Sequence, residues 1–127
     1  MREILFKAQR VDGKGWVEGN IITNDGKPFI VNGVIESSEE YIALKMWCPV
    51  IPETVCQYIG LEARNGVPMF EGDYEIDRYA KGENGRMIVE FVNGGFVFVM
   101  SNGQTVAIKS LHGFVTISGN IHDLKVK

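Results

Sequence analysis

The sequence contains little of what most chemical activities need. It has two cysteines and two histidines in 127 residues. Cys48 and Cys56 are too far apart for the closely spaced zinc and redox motifs, and two cysteines are too few for a disulfide scaffold. His112 and His122 have no cysteine or histidine at metal-ligand spacing, which favours structural or surface roles. We therefore expect reduced thiols in a cytoplasmic protein, with no metal and no cofactor.

An excess of positive charge is also missing. The chain has 13 Lys and Arg against 16 Asp and Glu, which gives a net charge of −3. A protein that mainly neutralises phosphates needs a positive field over its contact surface, so nucleic-acid binding would have to depend on a local basic patch. No apolar run reaches the length of about 18 residues typical of a membrane span, and the opening residues lack a signal-peptide pattern. We expect a soluble protein that is neither exported nor bound to a membrane.

Motifs of enzymes are missing as well. There is no Gly-x-Ser-x-Gly nucleophile elbow, and the glycine-rich pieces lack the lysine and spacing of a phosphate-binding loop. The pieces Asn93-Gly94-Gly95 and Ser118-Gly119-Asn120 are interpreted as turns. The sequence thus predicts no catalytic residues and no enzymatic activity.

What the sequence does contain is glycine and alternating apolar residues. Of the 15 glycines, many follow Asp or Asn in dipeptides that tolerate positive φ angles and join β-strands. The predicted turns are Asp12-Gly13, Asp25-Gly26, Asn32-Gly33, Asn65-Gly66, Asn84-Gly85, Asn93-Gly94 and Asn102-Gly103. The β-branched and aromatic runs between them predict strands at 16–23, 28–35, 86–92, 96–101, 104–109 and 113–121.

These strands predict an all-β fold. We expect a single domain over residues 1–127, in which a hairpin-rich N-terminal region, 1–61, packs on a small SH3-like C-terminal β-barrel, 62–127. The boundary lies in the polar stretch 62–67. No repeat and no low-complexity segment interrupts this arrangement.

The segment 37–50 admits two interpretations. Ser37-Ser38-Glu39-Glu40 is similar to a capping box that would open a helix. From position 42 to position 50, however, every second residue is apolar, which is typical of a half-buried strand. We predict a long strand that leads to Pro52, with one turn of helix still open at 38–43.

Four carboxylates recur at every second position. On an extended strand, Glu71, Asp73, Glu75 and Asp77 would lie on one face, as a hard-cation site or an acid/base pair. The simpler interpretation is a solvated strand face, balanced by Arg64 and by the basic residues at 78, 81 and 86. We favour it because a cation site draws its ligands from several segments.

The aromatic residues also admit two interpretations. They could stack on the bases of single-stranded nucleic acid, or they could build a β core, which the net charge favours. The residues are Trp16, Trp47, Tyr58, Phe70, Tyr79, Phe91, Phe96, Phe98 and Phe114. The strand 96–100 is apolar on both faces, which is typical of complete burial or of pairing with another subunit. A homo-oligomer is therefore expected.

Four blocks in order resemble the YopX family of phage and prophage proteins. The opening block is Arg2-Glu3-Ile4-Leu5-Phe6-Lys7-Ala8, and the closing one is Gly119-Asn120-Ile121. The central block comprises Pro52, Glu53, Thr54, Val55, Gln57, Tyr58, Gly60 and Leu61, with Cys56 where glycine is usual. An aromatic-Glu-Gly-Asp signature follows at Phe70, Glu71, Gly72 and Asp73. The matches span the start, the centre and the end of the chain.

The resemblance implies a mostly-β, phage-associated protein that forms homo-oligomers and has no established activity or cofactor. In the signature, Gly72 is expected to meet a backbone requirement, and Glu71 and Asp73 to accept hydrogen bonds from turn amides. Our leading hypothesis is a non-enzymatic homo-oligomer that binds a host or phage protein. The alternatives are a nucleic-acid-binding barrel that uses Lys81, Arg86, Lys109, Lys125 and Lys127, and a metal-dependent hydrolase that uses the four carboxylates.

Overall fold

The computed structural model describes residues 3–76 and 86–124, without the side chains at 34–37, 42–44, 76, 86, 110 and 124. The strands are β1 (Phe6–Gln9), β2 (Trp16–Asn24), β3 (Lys27–Ser37), β4 (Ile42–Pro49), β5 (Cys56–Glu62), β6 (Pro68–Phe70), β7 (Asp73–Ile76), β8 (Arg86–Val92), β9 (Gly95–Met100), β10 (Thr105–Ala107) and β11 (Gly119–Asn120). One α-helical turn, α1, covers Ile108–Leu111, and short 3-10 turns cover Pro52–Thr54, Arg64–Gly66, His112–Phe114 and Ile121–Leu124. The predicted all-β class is confirmed.

The chain divides into two compact units, Met1–Gln57 and Tyr58–Lys127. The sequence places its division a few residues later, between 61 and 62. Strand β5 crosses the observed division: Cys56 and Gln57 pair with β1, whereas Tyr58 and Glu62 pair with β6.

The first unit is an antiparallel sheet in the order β4-β3-β2-β1. The alternation of its strands gives it two different faces. Ala8, Ile30 and Val50 are buried together on the inner face, and half-buried side chains such as Val17 and Ile21 pack against them. The strand predicted for the ambiguous segment is confirmed as β4, in which Met46 and Cys48 point inward while Lys45 and Trp47 are exposed.

The second unit contains a five-stranded antiparallel sheet in the order β10-β9-β8-β7-β11. Its core combines this sheet with neighbouring segments: the buried residues are Ala63, Met69, Met87, Val89, Phe98, Ile108 and Val115. Strand β9 is paired on both edges, with β8 and with β10, which accounts for its apolar sequence within the unit itself. Within the described residues the sheet is open, with β10 and β11 at its edges, so the SH3-like barrel is not confirmed.

Two of the predicted turns are confirmed as hairpin turns, and one predicted turn is wrong. Asp25-Gly26 and Asn93-Gly94 both have positive φ angles at two successive residues, as a type I′ hairpin turn requires. Asn32-Gly33 instead lies inside β3. Gly33 has φ 71°, and a Cβ there would come within 2.8 Å of the Lys45 Cβ on the neighbouring strand. This glycine is needed for close contact between strands, which the dipeptide alone does not distinguish from a turn.

The C-terminal strands are the main errors of the sequence-based prediction. The strand predicted at 104–109 ends at Ala107, where α1 begins. The strand predicted at 113–121 is reduced to Gly119–Asn120, two residues of the motif that predicts a turn at 118–120. Ile108 in α1 and Val115 in the irregular segment after the 3-10 turn both fill the core of the second unit. Their side chains are therefore buried without continuous strand pairing. The predicted turn Asn84-Gly85 lies outside the described residues. Of the described part of the chain, no helix is long and apolar enough to cross a membrane.

Gly19 lies so close to the backbone of the neighbouring strand that we expect it not to tolerate a side chain. A Cβ on Gly19 would lie against the carbonyl oxygen of Val31 and 3.0 Å from the Ile30 Cγ2. We expect Gly19→Ala to lower the free energy of unfolding by about 1–3 kcal/mol, because neither neighbour is the free end of a side chain. Urea unfolding measures this.

The matched control is Gly95→Ala, a strand glycine with no heavy atom within 4 Å of the new Cβ. It should change the free energy of unfolding by no more than about 0.5 kcal/mol. Equal losses for both variants would contradict the contact.

Candidate functional site

The central sequence block supplies a buried hydroxyl to the first unit. Thr54, at the end of the 3-10 turn Pro52–Thr54, is 4% exposed. Its Oγ1 accepts a hydrogen bond from the Gln9 amide at 2.9 Å and donates one to the Ile51 carbonyl at 2.7 Å. Glu53, the residue before Thr54, is exposed, and Gln57 pairs with Phe6 of β1. The block thus anchors β1 to the segment that follows β4.

The rest of the central block lies in β5 of the second unit. Tyr58 packs its ring on Phe70, with centroids 5.8 Å apart, and its hydroxyl hydrogen-bonds to the Glu62 carboxylate. Gly60 has φ 89° where the pairing of β5 with β6 shifts register between Tyr58 and Glu62. Leu61 packs against the hydrophobic core. These residues shape a strand irregularity and supply no reactive group to a cleft.

The second signature and the closing block meet in one buried polar cluster. Asp73 and Asn120 are paired residues on β7 and β11, and they are 1% and 2% exposed. Asp73 Oδ2 accepts a hydrogen bond from the Phe70 amide at 2.8 Å, and its Oδ1 accepts one from the Asn120 side-chain amide at 2.9 Å. The same Nδ2 also donates to the Glu71 carbonyl at 3.2 Å. We call Asp73, Asn120 and the turn Phe70–Asp73 the carboxamide clasp.

Gly72 is the backbone requirement of this clasp. It has φ 85°, and a Cβ there would lie 3.2 Å from Asn120 Nδ2. Its amide donates to the Val89 carbonyl, and its carbonyl accepts from the Ile121 amide. The predicted role of Gly72 and the hydrogen bond from a turn amide to Asp73 are confirmed. Glu71 accepts through its backbone carbonyl at this place, which the sequence does not indicate.

The carboxylate row is not a continuous strand face. Glu71 belongs to the turn before β7, Asp73 is buried in the clasp, and Glu75 Oε2 accepts a hydrogen bond from the Thr116 amide at 2.6 Å. Asp77 lies outside the described residues. The interpretation of Asp73 as part of a solvated face is wrong, because Asn120 and Phe70 satisfy it away from water. Among residues 3–76 and 86–124, no group of three or more His, Cys, Asp or Glu side chains is arranged to hold a metal ion.

The histidines and cysteines make local structural contacts. His112 Nδ1 lies 2.7 Å from the Glu62 carbonyl, and the amide of His122 donates to Asn120 Oδ1. Both cysteines are buried, and no disulfide joins them. The Cys56 Sγ donates a hydrogen bond to the Thr54 carbonyl at 3.2 Å. These contacts connect elements within each unit.

An exposed aromatic surface lies on the outer face of the first unit. Trp47 is 66% exposed and packs edge-on against Phe29, with centroids 5.8 Å apart. Phe29 pairs directly with Ile22, which is 48% exposed. Trp16 lies on the same face, because Lys7 of β1 places its Nζ 4.8 Å from the Trp16 ring centroid and β1 pairs with β2. We call Trp16, Ile22, Phe29 and Trp47, with the lysines among them, the aromatic face.

The sequence carries a signal for this face. Trp47 is an apolar residue on the outward side of an otherwise alternating strand, and Ile22 and Phe29 are the same on β2 and β3. A single exposed apolar residue is common on protein surfaces and indicates little. A cluster of exposed aromatic and apolar residues, in contrast, marks a contact site. Only the register of the three strands shows that these residues are neighbours.

Two pKa values are shifted within the first unit, in the connection between β1 and β2. The Arg10 guanidinium binds the Asp12 carboxylate at 2.7 Å, and the Lys14 amide donates to Asp12 Oδ1 at 3.0 Å. The hydrogen bond from Arg10 and then that from Lys14 lower the pKa of Asp12 from 3.8 to about 2, and Asp12 raises the pKa of Arg10. The pair is exposed, so it organises the turn and does not form a reactive site.

No protein-family model matches the chain, and the comparison with curated proteins gives no match. The resemblance to the YopX family therefore depends on the sequence blocks alone and stays a prediction.

The carboxamide clasp predicts a stability loss that an exposed asparagine does not produce. Asn120→Ala removes the partner of a buried carboxylate and of the Glu71 carbonyl. We expect the free energy of unfolding to fall by about 1–3 kcal/mol. The control Asn20→Ala, an exposed strand residue, should change it by no more than about 0.5 kcal/mol. A clasp without energetic importance would give similar values for the two variants in urea unfolding.

The Arg10–Asp12 pair predicts an unusual titration. The Asp12 pKa is lowered on folding, so its contribution to stability is present above the unfolded value of about 3.9 and is lost as the pH falls through about 2. Carboxyl carbon NMR should show Asp12 titrating near pH 2. In Arg10→Gln the pKa should rise toward the ordinary value, and an unchanged titration in that variant would show that Arg10 is not the cause.

Proposed function

We propose that this chain is a non-enzymatic binding protein of the YopX kind, encoded by a phage or prophage, that works as a homo-oligomer. Its contact surface is the aromatic face. The single observation that carries the proposal is the exposure of Trp47 beside Phe29 and Ile22 on a folded sheet. Tryptophan is among the residues that dominate binding energy at interfaces, and exposed apolar clusters mark interaction sites.

The use of the buried polar residues supports a non-enzymatic role. Thr54, Asp73 and Asn120 each form two or more hydrogen bonds within their own unit, and most of their partners are backbone groups. Groups with this role hold chain segments together. The residues shared with the YopX blocks thus have structural explanations in both units.

The edge of β4 at Lys45 and Trp47 supports self-association. At the end of the strand this edge is occupied, because the Pro49 carbonyl accepts a hydrogen bond from the Val11 amide at 3.2 Å. The Val50 amide donates to the Pro28 carbonyl, so residues at even positions of β4 point their amides and carbonyls toward β3. Lys45 and Trp47 therefore point theirs away from the sheet. Pro49 also lies at an odd position, where a missing N–H costs no bond to β3. β4 is an edge strand of the described sheet, and such an edge can pair with a second copy of the chain.

A proline on this edge tests the oligomer without breaking the sheet. Among the backbone hydrogen-bonding groups, Lys45→Pro removes only the amide of residue 45, which points away from β3; it also removes the lysine charge. We expect the wild-type protein to elute as an oligomer in size-exclusion chromatography with light scattering, and Lys45→Pro to have a smaller mass with an unchanged circular dichroism spectrum. A wild-type mass equal to one chain would contradict the oligomer.

Lys45→Gln is the matched control. It removes the same charge but keeps the amide, so the oligomer should persist. If Lys45→Gln dissociates the protein as strongly as Lys45→Pro, the side chain and not the strand edge holds the copies together.

A further inference from the structure

We propose that the aromatic face binds single-stranded nucleic acid, with Trp47 as the main platform for base stacking. This deepens the proposed function, on which it depends, because it names the ligand class of the binding surface. Binding of single strands requires two kinds of group: exposed ring faces for the bases and cations for the phosphates. Both are present on one side of one sheet.

The aromatic geometry gives the first requirement. Trp47 is exposed over 66% of its surface, and its edge-on contact with Phe29 supports the ring from the side. Trp16 is half-buried and carries Lys7 over its ring, so it is a secondary platform. From the strand register, the two tryptophans are separated by two strand spacings across the sheet and four residues along β2, roughly 16 Å in total. A chain of several nucleotides is needed to reach both.

The charges give the second requirement. Lys7, Lys27 and Lys45 lie on the face at exposed or half-buried positions of β1, β3 and β4. Lys45 is two residues from Trp47 on the same side of the strand, about 7 Å away, a distance suited to a phosphate beside a stacked base. The acidic neighbours are Glu18, which pairs with Lys7, and Asp25 in the turn before Lys27. The face is therefore more positive than the chain as a whole, which has net charge −3.

The arrangement favours single strands over duplexes and over protein partners. Rings on the face of a sheet reach bases only when the bases are unstacked and splayed out, and a duplex hides them. The exposed amides of Asn20 and Asn24 on the same face can hydrogen-bond to base edges. A protein interface core would be depleted of lysine, whereas here lysines stand among the aromatic residues.

Fluorescence anisotropy with a labelled oligothymidine of about 12 nucleotides tests the inference, since small β-folds bind about 4–16 nucleotides. We expect salt-sensitive binding, and a duplex of the same length should bind more weakly. Trp47→Ala should weaken binding tenfold or more, the loss typical of one base stack. In Trp16→Phe, which leaves Trp47 as the only tryptophan, the oligonucleotide should quench the fluorescence.

Matched variants in the second unit locate the site. Phe114→Ala removes an aromatic side chain that is 80% exposed and should leave the affinity unchanged. Lys45→Gln should lower the slope of log K against log salt by about 0.7, and Lys109→Gln should leave it unchanged. If Lys109→Gln and Phe114→Ala weaken binding while the face variants do not, the inference is wrong and the second unit is the nucleic-acid site.

Two further outcomes separate this inference from the proposed function. No binding of oligothymidine or oligouridine at low salt overturns the nucleic-acid inference but leaves the oligomer, which light scattering measures independently. If Trp47→Ala changes only the mass of the particle and not its affinity for the oligonucleotide, the aromatic face is a contact between copies and the inference fails.

Discussion

The pairing of β3 with β4 is the constraint on which both proposed surfaces depend. In this register Ile30 lies opposite Cys48 on the inner face, and Val31 lies opposite Trp47 on the outer face. A shift of β4 by one residue would turn Trp47 toward the core and expose Cys48. The same register decides which amides point away from β3. The aromatic face and the β4 edge at Lys45 and Trp47 are therefore two consequences of one hydrogen-bond pattern.

Specific features hold this register. Gly33 has positive φ and lets the Lys45 side chain cross close to the β3 backbone, and Gly19 leaves room for the Val31 carbonyl. At the end of β4, the Val50 amide binds the Pro28 carbonyl, and Arg10 forms a bridge with Val50. Thr54 then fixes the next segment to Gln9. These glycine contacts and hydrogen bonds together position side chains that are far apart in sequence.

In the second unit, a buried polar pair fixes the strand pairing. Its strands β7 and β11 are short, and the pair is stabilised by the buried carboxylate of Asp73 and the amide of Asn120. A buried carboxylate is costly unless it is fully hydrogen-bonded, so this cluster favours one arrangement of the turn at Gly72 over others. The glycine, aspartate and asparagine of the two sequence blocks are explained together by this contact. Neither residue of the Asp73–Asn120 pair would be interpretable without the other.

The sequence alone determined the all-β fold class and strands β2, β3, β4, β8 and β9, through the alternation of apolar residues. The Asp-Gly and Asn-Gly dipeptides determined the hairpins at Asp25 and Asn93. These features depend on residues that are neighbours in the sequence. The sequence also indicated the special backbone conformation at Gly72. Only the tertiary structure decided that Asp73 is buried, that the segment after β10 forms short helical turns and one two-residue strand, and that Trp16, Phe29 and Trp47 share a face with three lysines. Those facts arise from contacts between distant residues, such as Asp73 and Asn120, which are 47 positions apart. Local propensity carries no information about which distant segment will pair with which.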